Sequence, residues 1–120
     1  MADFKPGQLL RIFVGESDSW HGGPLYSAIV TALKQHDIAG ASVFRGIEGF
    51  GSHHEIHVAK IFALRGKLPI LIEVVDDEDK IAAVIPVVES MVAEGAMTLE
   101  RVDYCRFVPP PPAMPAKGTR

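Results

Sequence analysis

The chain has 120 residues, of which 48% are hydrophobic and 22% charged, with a formal net charge of −3. That length suits one domain with a core of its own, and the acidic balance lacks the basic footprint of a nucleic-acid binder. Apolar runs stay short of the ~18 residues that a membrane-crossing helix needs. The polar N-terminus does not read as a signal peptide. A lone cysteine, Cys105, rules out an internal disulfide and suits a reducing, cytoplasmic setting.

Taken in order, residues 1–7 read as a flexible N-terminus and Gln8 to Val14 as a strand. Gly15 to Gly23 reads as a loop, with Pro24 at the first helical position, where its missing N–H costs nothing. A helix to about His36 follows from the spacing of Leu25, Ile29 and Leu33. Ala41 to Glu48 is the next strand and runs into Gly49-Phe50-Gly51. Ala59 to Leu64 suggests a short strand, with a turn over residues 65–67. Leu68 to Val75 is a nearly unbroken apolar run, the pattern of a strand buried on both faces. Asp76 to Asp79 offers N-caps for a helix to about Glu94, with Pro86 expected to kink or break it and Gly95 to end it. Met97 to Phe107 is the last strand, and residues 108–120 form a proline-rich tail expected to be disordered.

Strand, helix, strand, long loop, strand, helix, strand is the order of an α+β, ferredoxin-like βαββαβ sandwich over residues 8–107. Two helices can hide one face of its sheet. The Leu68 to Val75 strand leaves no polar face for water, so a homo-oligomer is expected to bury the other side.

Several residues could carry chemistry. Two glycines around Phe50 can launch a loop beside a ligand, because glycine lets other groups approach the backbone closely. In an extended segment His53, Glu55 and His57 share a face and form a set suited to a divalent metal such as zinc or copper, while a polar loop whose histidines hydrogen-bond locally is the plainer account of them. Trp20, beside a helix start, could stack on a planar ligand or pack on the sheet edge. Arg45 shares its face with Val43 and Ile47. It therefore needs a partner, either an ion pair between subunits or a ligand carboxylate or phosphate.

The chain resembles the PII signalling proteins, and more closely the PII-like family known as domain of unknown function 190. The resemblance rests on Arg11-Ile12-Phe13-Val14-Gly15-Glu16, on Trp20-His21-Gly22 with Pro24-Leu25-Tyr26, and on Arg45-Gly46-Ile47-Glu48-Gly49-Phe50-Gly51 with His53-His54-Glu55-Ile56-His57. It covers roughly Leu9 to Tyr104. It implies a homotrimer that binds an adenine nucleotide or anion between subunits, a flexible T-loop after Gly51, and a regulatory rather than enzymatic role. By the same resemblance Gly49, Phe50, Gly51 and Arg106 are ligand-binding residues, to which the residues' own chemistry adds Arg45 and Trp20. A membrane transporter or channel is implied as partner. PII proteins also carry a glycine- and lysine-rich loop before the last strand. Here that loop is Val92-Ala93-Glu94-Gly95-Ala96-Met97, with one glycine and no lysine, so phosphate contacts must come from elsewhere. The alternatives are a divalent-metal-binding trimer of the copper-tolerance type and a small hydrolase at the subunit interface using the histidines.

Overall fold

The computed structural model describes residues 2–51, 57–58 (backbone), 68–109 and 112. In chain order the elements are β1 (Lys5–Gly15), a short hairpin of β2 (Ser19–Trp20) and β3 (Gly23–Pro24), α1 (Leu25–Gln35), β4 (Ser42–Arg45), a small pair β5 (Glu48–Gly49) and β6 (His57–Val58), β7 (Pro69–Asp76), α2 (Glu78–Met91) and β8 (Ala96–Tyr104). The main sheet is antiparallel throughout, in the order β4-β7-β1-β8. With α1 and α2 against β1 and β7 it is the expected ferredoxin-like arrangement.

Alternation along the two central strands builds the core. Leu10, Ile12 and Val14 of β1 and Ile70, Ile72 and Val74 of β7 face the helices. There they meet Leu25, Ile29 and Leu33 of α1 and Ile81, Val84 and Val88 of α2. The opposite face carries Leu9, Arg11 and Phe13 of β1, in register with Leu71, Glu73 and Val75 of β7. β7 is thus apolar on both sides, as expected, except for Glu73. Both edge strands are poorly covered: all four residues of β4 are exposed, and so is most of β8.

Several boundaries differ from the sequence expectation. β1 begins at Lys5, so Lys5, Pro6 and Gly7 belong to a strand, held by pairing with Tyr104, Asp103 and Val102 of β8. The loop of residues 15–23 contains a hairpin. His21 and Gly22 both have positive φ (48° and 87°), as a two-residue type I′ turn requires. Pro24 is the N-cap of α1 rather than its first residue. β4 stops at Arg45, where the Gly46 N–H turns to the Pro69 carbonyl. Pro86 does not end α2. The carbonyl it leaves unbonded is that of Ala82, and both residues are exposed, so water can satisfy it. The helix ends at Met91, with Val92 and not Gly95 after it. β8 stops at Tyr104, short of Phe107. The expected strand at Ala59 to Leu64 lies outside the described residues, as does most of the proline tail.

A polar cluster ties β1, β8 and the start of α2 together. The Tyr104 hydroxyl donates to Asp77 Oδ1, and Lys5 Nζ lies 3.1 Å from the same oxygen. Hydrogen bonds from Tyr104 and then Lys5 hold the Asp77 carboxyl below its ordinary range, and Asp77 in turn raises Lys5. A depressed carboxyl contributes stability that is present at neutral pH and lost as pH falls through its folded value. The raised lysine loses its contribution only in strong alkali. Asp77→Asn should therefore lower the melting temperature at about pH 7 and much less at about pH 3, where the wild-type carboxyl is itself protonated. Thermal melts of both proteins across that range test this, and a constant difference would refute it.

Candidate functional site

The glycine corner lies at one end of the sheet. Gly15 pairs with Pro69 at the end of β1, and Arg45 pairs with Ile70 at the end of β4. Pro69 is the hub. A Cβ on Gly46 would lie 2.6 Å from Pro69 Cγ, and one on Gly49 would lie 3.0 Å from it. These two glycines are there for close approach to the proline ring. Among the described residues a Cβ on Gly51 would meet nothing within 4 Å, and neither Gly49 nor Gly51 has a positive φ. The corner leaves Ile47 79% and Phe50 66% exposed, continuing an apolar edge from Phe44.

Arg45 finds its partner within the chain. Its Nη2 lies 2.6 Å from Glu16 Oε2, with the Arg45 side chain 59% and the Glu16 side chain 13% exposed. Glu16 is fixed by its main chain, whose N–H donates to the Leu68 carbonyl at 2.8 Å. The turn carrying it is closed by the Gly15 N–H donating to Asp18 Oδ2 at 2.8 Å. Farther along the same loop, Trp20 packs against the core and stacks on His21, with centroids 4.3 Å apart and planes at 15°. Packing is thus the structural role that Trp20 fills.

At the opposite end lies an open groove of ≈ 370 Å³, walled by Ala39, Gly40, Ala41 and Ser42 and by Glu73, Val75 and Arg106. Buried Asp76 shapes it by accepting the Ala39 N–H on Oδ2 (2.9 Å) and the Asp77 N–H on Oδ1 (2.8 Å). Beyond β8 the Arg106 Nη2 reaches back to donate to the Val75 carbonyl at 3.1 Å. Its guanidinium sits 5.2 Å from the centroid of the Tyr104 ring. A wall of small side chains beside a cation suits a flat polar ligand with a negative charge.

One protomer therefore does not gather the expected ligand residues. Arg45, Gly49, Phe50 and Gly51 lie at one end of β4 and Arg106 lines the groove at the other, since Ser42 pairs with Glu73 and Arg45 with Ile70. Of the expected metal set, His53 and Glu55 fall outside the described residues, and for His57 only the backbone, paired with Gly49, is described. Among the described residues no cluster of three metal-capable side chains occurs. Sequence reasoning missed Pro69 and Asp76 as site builders. The glycines at 46 and 49 were the available hint for Pro69, and a carboxylate ending an apolar strand was the hint for Asp76.

The uncovered sheet face has a charged centre. Arg11 Nε lies 2.9 Å from Glu73 Oε2, and the same guanidinium pairs with Glu100. Around this centre are Leu9, Leu71 and Val75, together with Phe13 (39% exposed) and Phe44 (49% exposed).

This sheet order, with two helices on one face, defines a ferredoxin-like fold, and the solved structures it resembles are PII-like proteins. A nitrogen regulatory PII-like protein, CPII from Thiomonas intermedia K12, bound to ADP, AMP and bicarbonate, superposes with a TM-score of 0.63 at 15% identity, covering 88% of this chain and 94% of that one. A putative PII-like signaling protein from Thermus thermophilus gives 0.62 at 17% identity over 86% and 93%. The chain belongs to the DUF190 family (Uncharacterized ACR, COG1993), whose model matches residues 7–104. A UPF0166 protein of Aquifex aeolicus is 38% identical over 96 residues, covering 80% of this chain and 90% of the relative. Another, from Methanocaldococcus jannaschii, is 33% identical over 92 residues, covering 77% and 84%.

Proposed function

We propose that the protein is a cytoplasmic PII-like regulator that binds an adenine nucleotide or a small anion in clefts between the subunits of a homotrimer. The observation that carries this reading is the groove ending in Arg106. It has the small-residue wall and the cation that a nucleotide needs, but it lies at the far end of β4 from the glycine corner. A second protomer can bring a corner to the groove, which a monomer cannot do. The uncovered, largely apolar sheet face and the exposed edge strands supply surface for that assembly. The ADP and AMP bound to the PII-like neighbour support the ligand class.

In this reading ligand binding orders the segment after Gly51, and that segment with exposed Ile47 and Phe50 contacts a partner protein, a transporter or channel. The protein acts by binding and not by turnover. ADP and AMP should raise the melting temperature of the purified protein. Arg106→Ala should weaken ADP about tenfold or more in calorimetric titration, the loss expected for a charged hydrogen bond to phosphate. A wild-type protein indifferent to both nucleotides would refute the nucleotide reading.

A further inference from the structure

We infer that Glu16 is an internal competitor for the ligand: its carboxylate occupies Arg45 and sets how tightly an anion can bind there. The inference rests on the reading that Arg45 faces ligand. It goes further by assigning a role to a residue outside the expected site.

The asymmetry of the pair carries the argument. Glu16 is the sheltered half, 13% exposed, and its main chain is bonded to Leu68. A carboxylate so withdrawn from water requires a cation beside it. Arg45 is the open half, 59% exposed, and is the last residue of an edge strand. A guanidinium has five N–H donors in a planar fork, and the Nη2 contact with Glu16 leaves others to face solvent. An approaching phosphate or bicarbonate can reach these donors, but it meets a cation whose charge Glu16 already balances. It must share or displace the internal carboxylate, so resting affinity is held down.

Displacement also has a structural consequence. Glu16 and Arg45 bridge the loop after β1 to the end of β4, next to Gly46 and Gly49 on Pro69. Exchanging Glu16 for an external anion unfastens that bridge between the two elements.

The test is calorimetric titration of ADP and of bicarbonate into wild type, Glu16→Gln, Arg45→Gln and the double variant. Glu16→Gln keeps the side-chain shape and should bind about five- to tenfold tighter, because the neutral amide no longer cancels the guanidinium. Arg45→Gln should bind more weakly. If leaving Glu16 unpaired prevents that variant from folding, the double variant removes both charges and supplies the Arg45-free background. Where Arg45→Gln folds, the gain of the double variant over it should vanish; where it does not, the double variant should bind more weakly than wild type, whose net charge it shares. Wild type that binds while Glu16→Gln gains nothing overturns the competitor role and leaves the nucleotide reading intact. So does an equal gain in the double variant, which would reduce the effect to general charge. Binding by Glu16→Gln alone supports the competitor role and overturns ligand occupancy of the wild type. Binding by none of the four overturns both.

Discussion

Leu71→Asp is expected to turn the proposed oligomer into a folded monomer and to abolish the proposed nucleotide binding with it. Leu71 sits on the uncovered sheet face, opposite Phe13 on β1 and Phe44 on β4. In a lone protomer this side chain is only partly buried. An aspartate there stays hydrated, and the fold should lose about 1 kcal/mol or less. Inside a subunit interface the same carboxylate would be desolvated, and the cation nearest it among the described residues of this face, Arg11, already serves both Glu73 and Glu100. An unpaired charge held out of water costs several kcal/mol, and each interface would carry that cost. Light scattering should therefore report one chain mass for the variant and a multiple of it for wild type. Circular dichroism should keep its native shape. Wild type that scatters as a monomer at micromolar concentration would remove the oligomer and the shared cleft together. A variant that stays assembled would place the interface elsewhere.

The largest effect on folding alone is expected at Gly7. Gly7→Ala should destabilise the protein by about 3 kcal/mol, at the upper end for an overpacked site. A Cβ at Gly7 would run into the Tyr104 ring and lie 2.7 Å from the Asp76 carbonyl oxygen. Neither can yield cheaply. The Tyr104 hydroxyl is bonded to Asp77, and its ring carries Lys5 and Arg106 over it. Asp76 is 2% exposed and bonded through both carboxylate oxygens. Gly51→Ala is the matched control. Among the described residues nothing lies within 4 Å of the added carbon, so its effect should stay within about 0.5 kcal/mol. Denaturant melts of the two variants separate these outcomes. Equal stabilities would mean that the Tyr104 ring moves aside freely. Because Tyr104 also supports Arg106, the Gly7 variant should bind nucleotide poorly even while it remains folded.

Legibility in the sequence followed the range of the forces involved. The helix over Leu25, Ile29 and Leu33, and the apolar run that became β7, are set by patterns within a few residues of each other, and both appear where the spacing puts them. Ends were less legible. Lys5 joins β1 because Tyr104, near the far end of the chain, pairs with it. Pro86 stays inside α2 because that side of the helix happens to face water. The glycine corner was visible as a motif of close approach, but the group that approaches Gly46 and Gly49 is the ring of Pro69, a contact across the sheet.

The site divided along the same line. Arg45 could be singled out from its sequence as a charge on an apolar face that needed a partner, but only the meeting of β1 and β4 beside β7 names Glu16 as that partner. Arg106 could be singled out only by resemblance, and the groove it closes exists because buried Asp76 draws Ala39 against the end of β7. Sequence by itself determined the alternation of helices and strands, the family, and a central strand with more apolar surface than two helices can cover. The alternation and the apolar strand depend on composition and on periods of two and about four residues, which neighbours along the chain set, whereas the family is read from its motifs. Tertiary structure alone decided which charges are paired, which glycines are indispensable, and that the candidate ligand residues lie at opposite ends of an edge strand. Each of these is a contact between residues remote in the chain, and no local pattern records such a contact until the sheet is assembled.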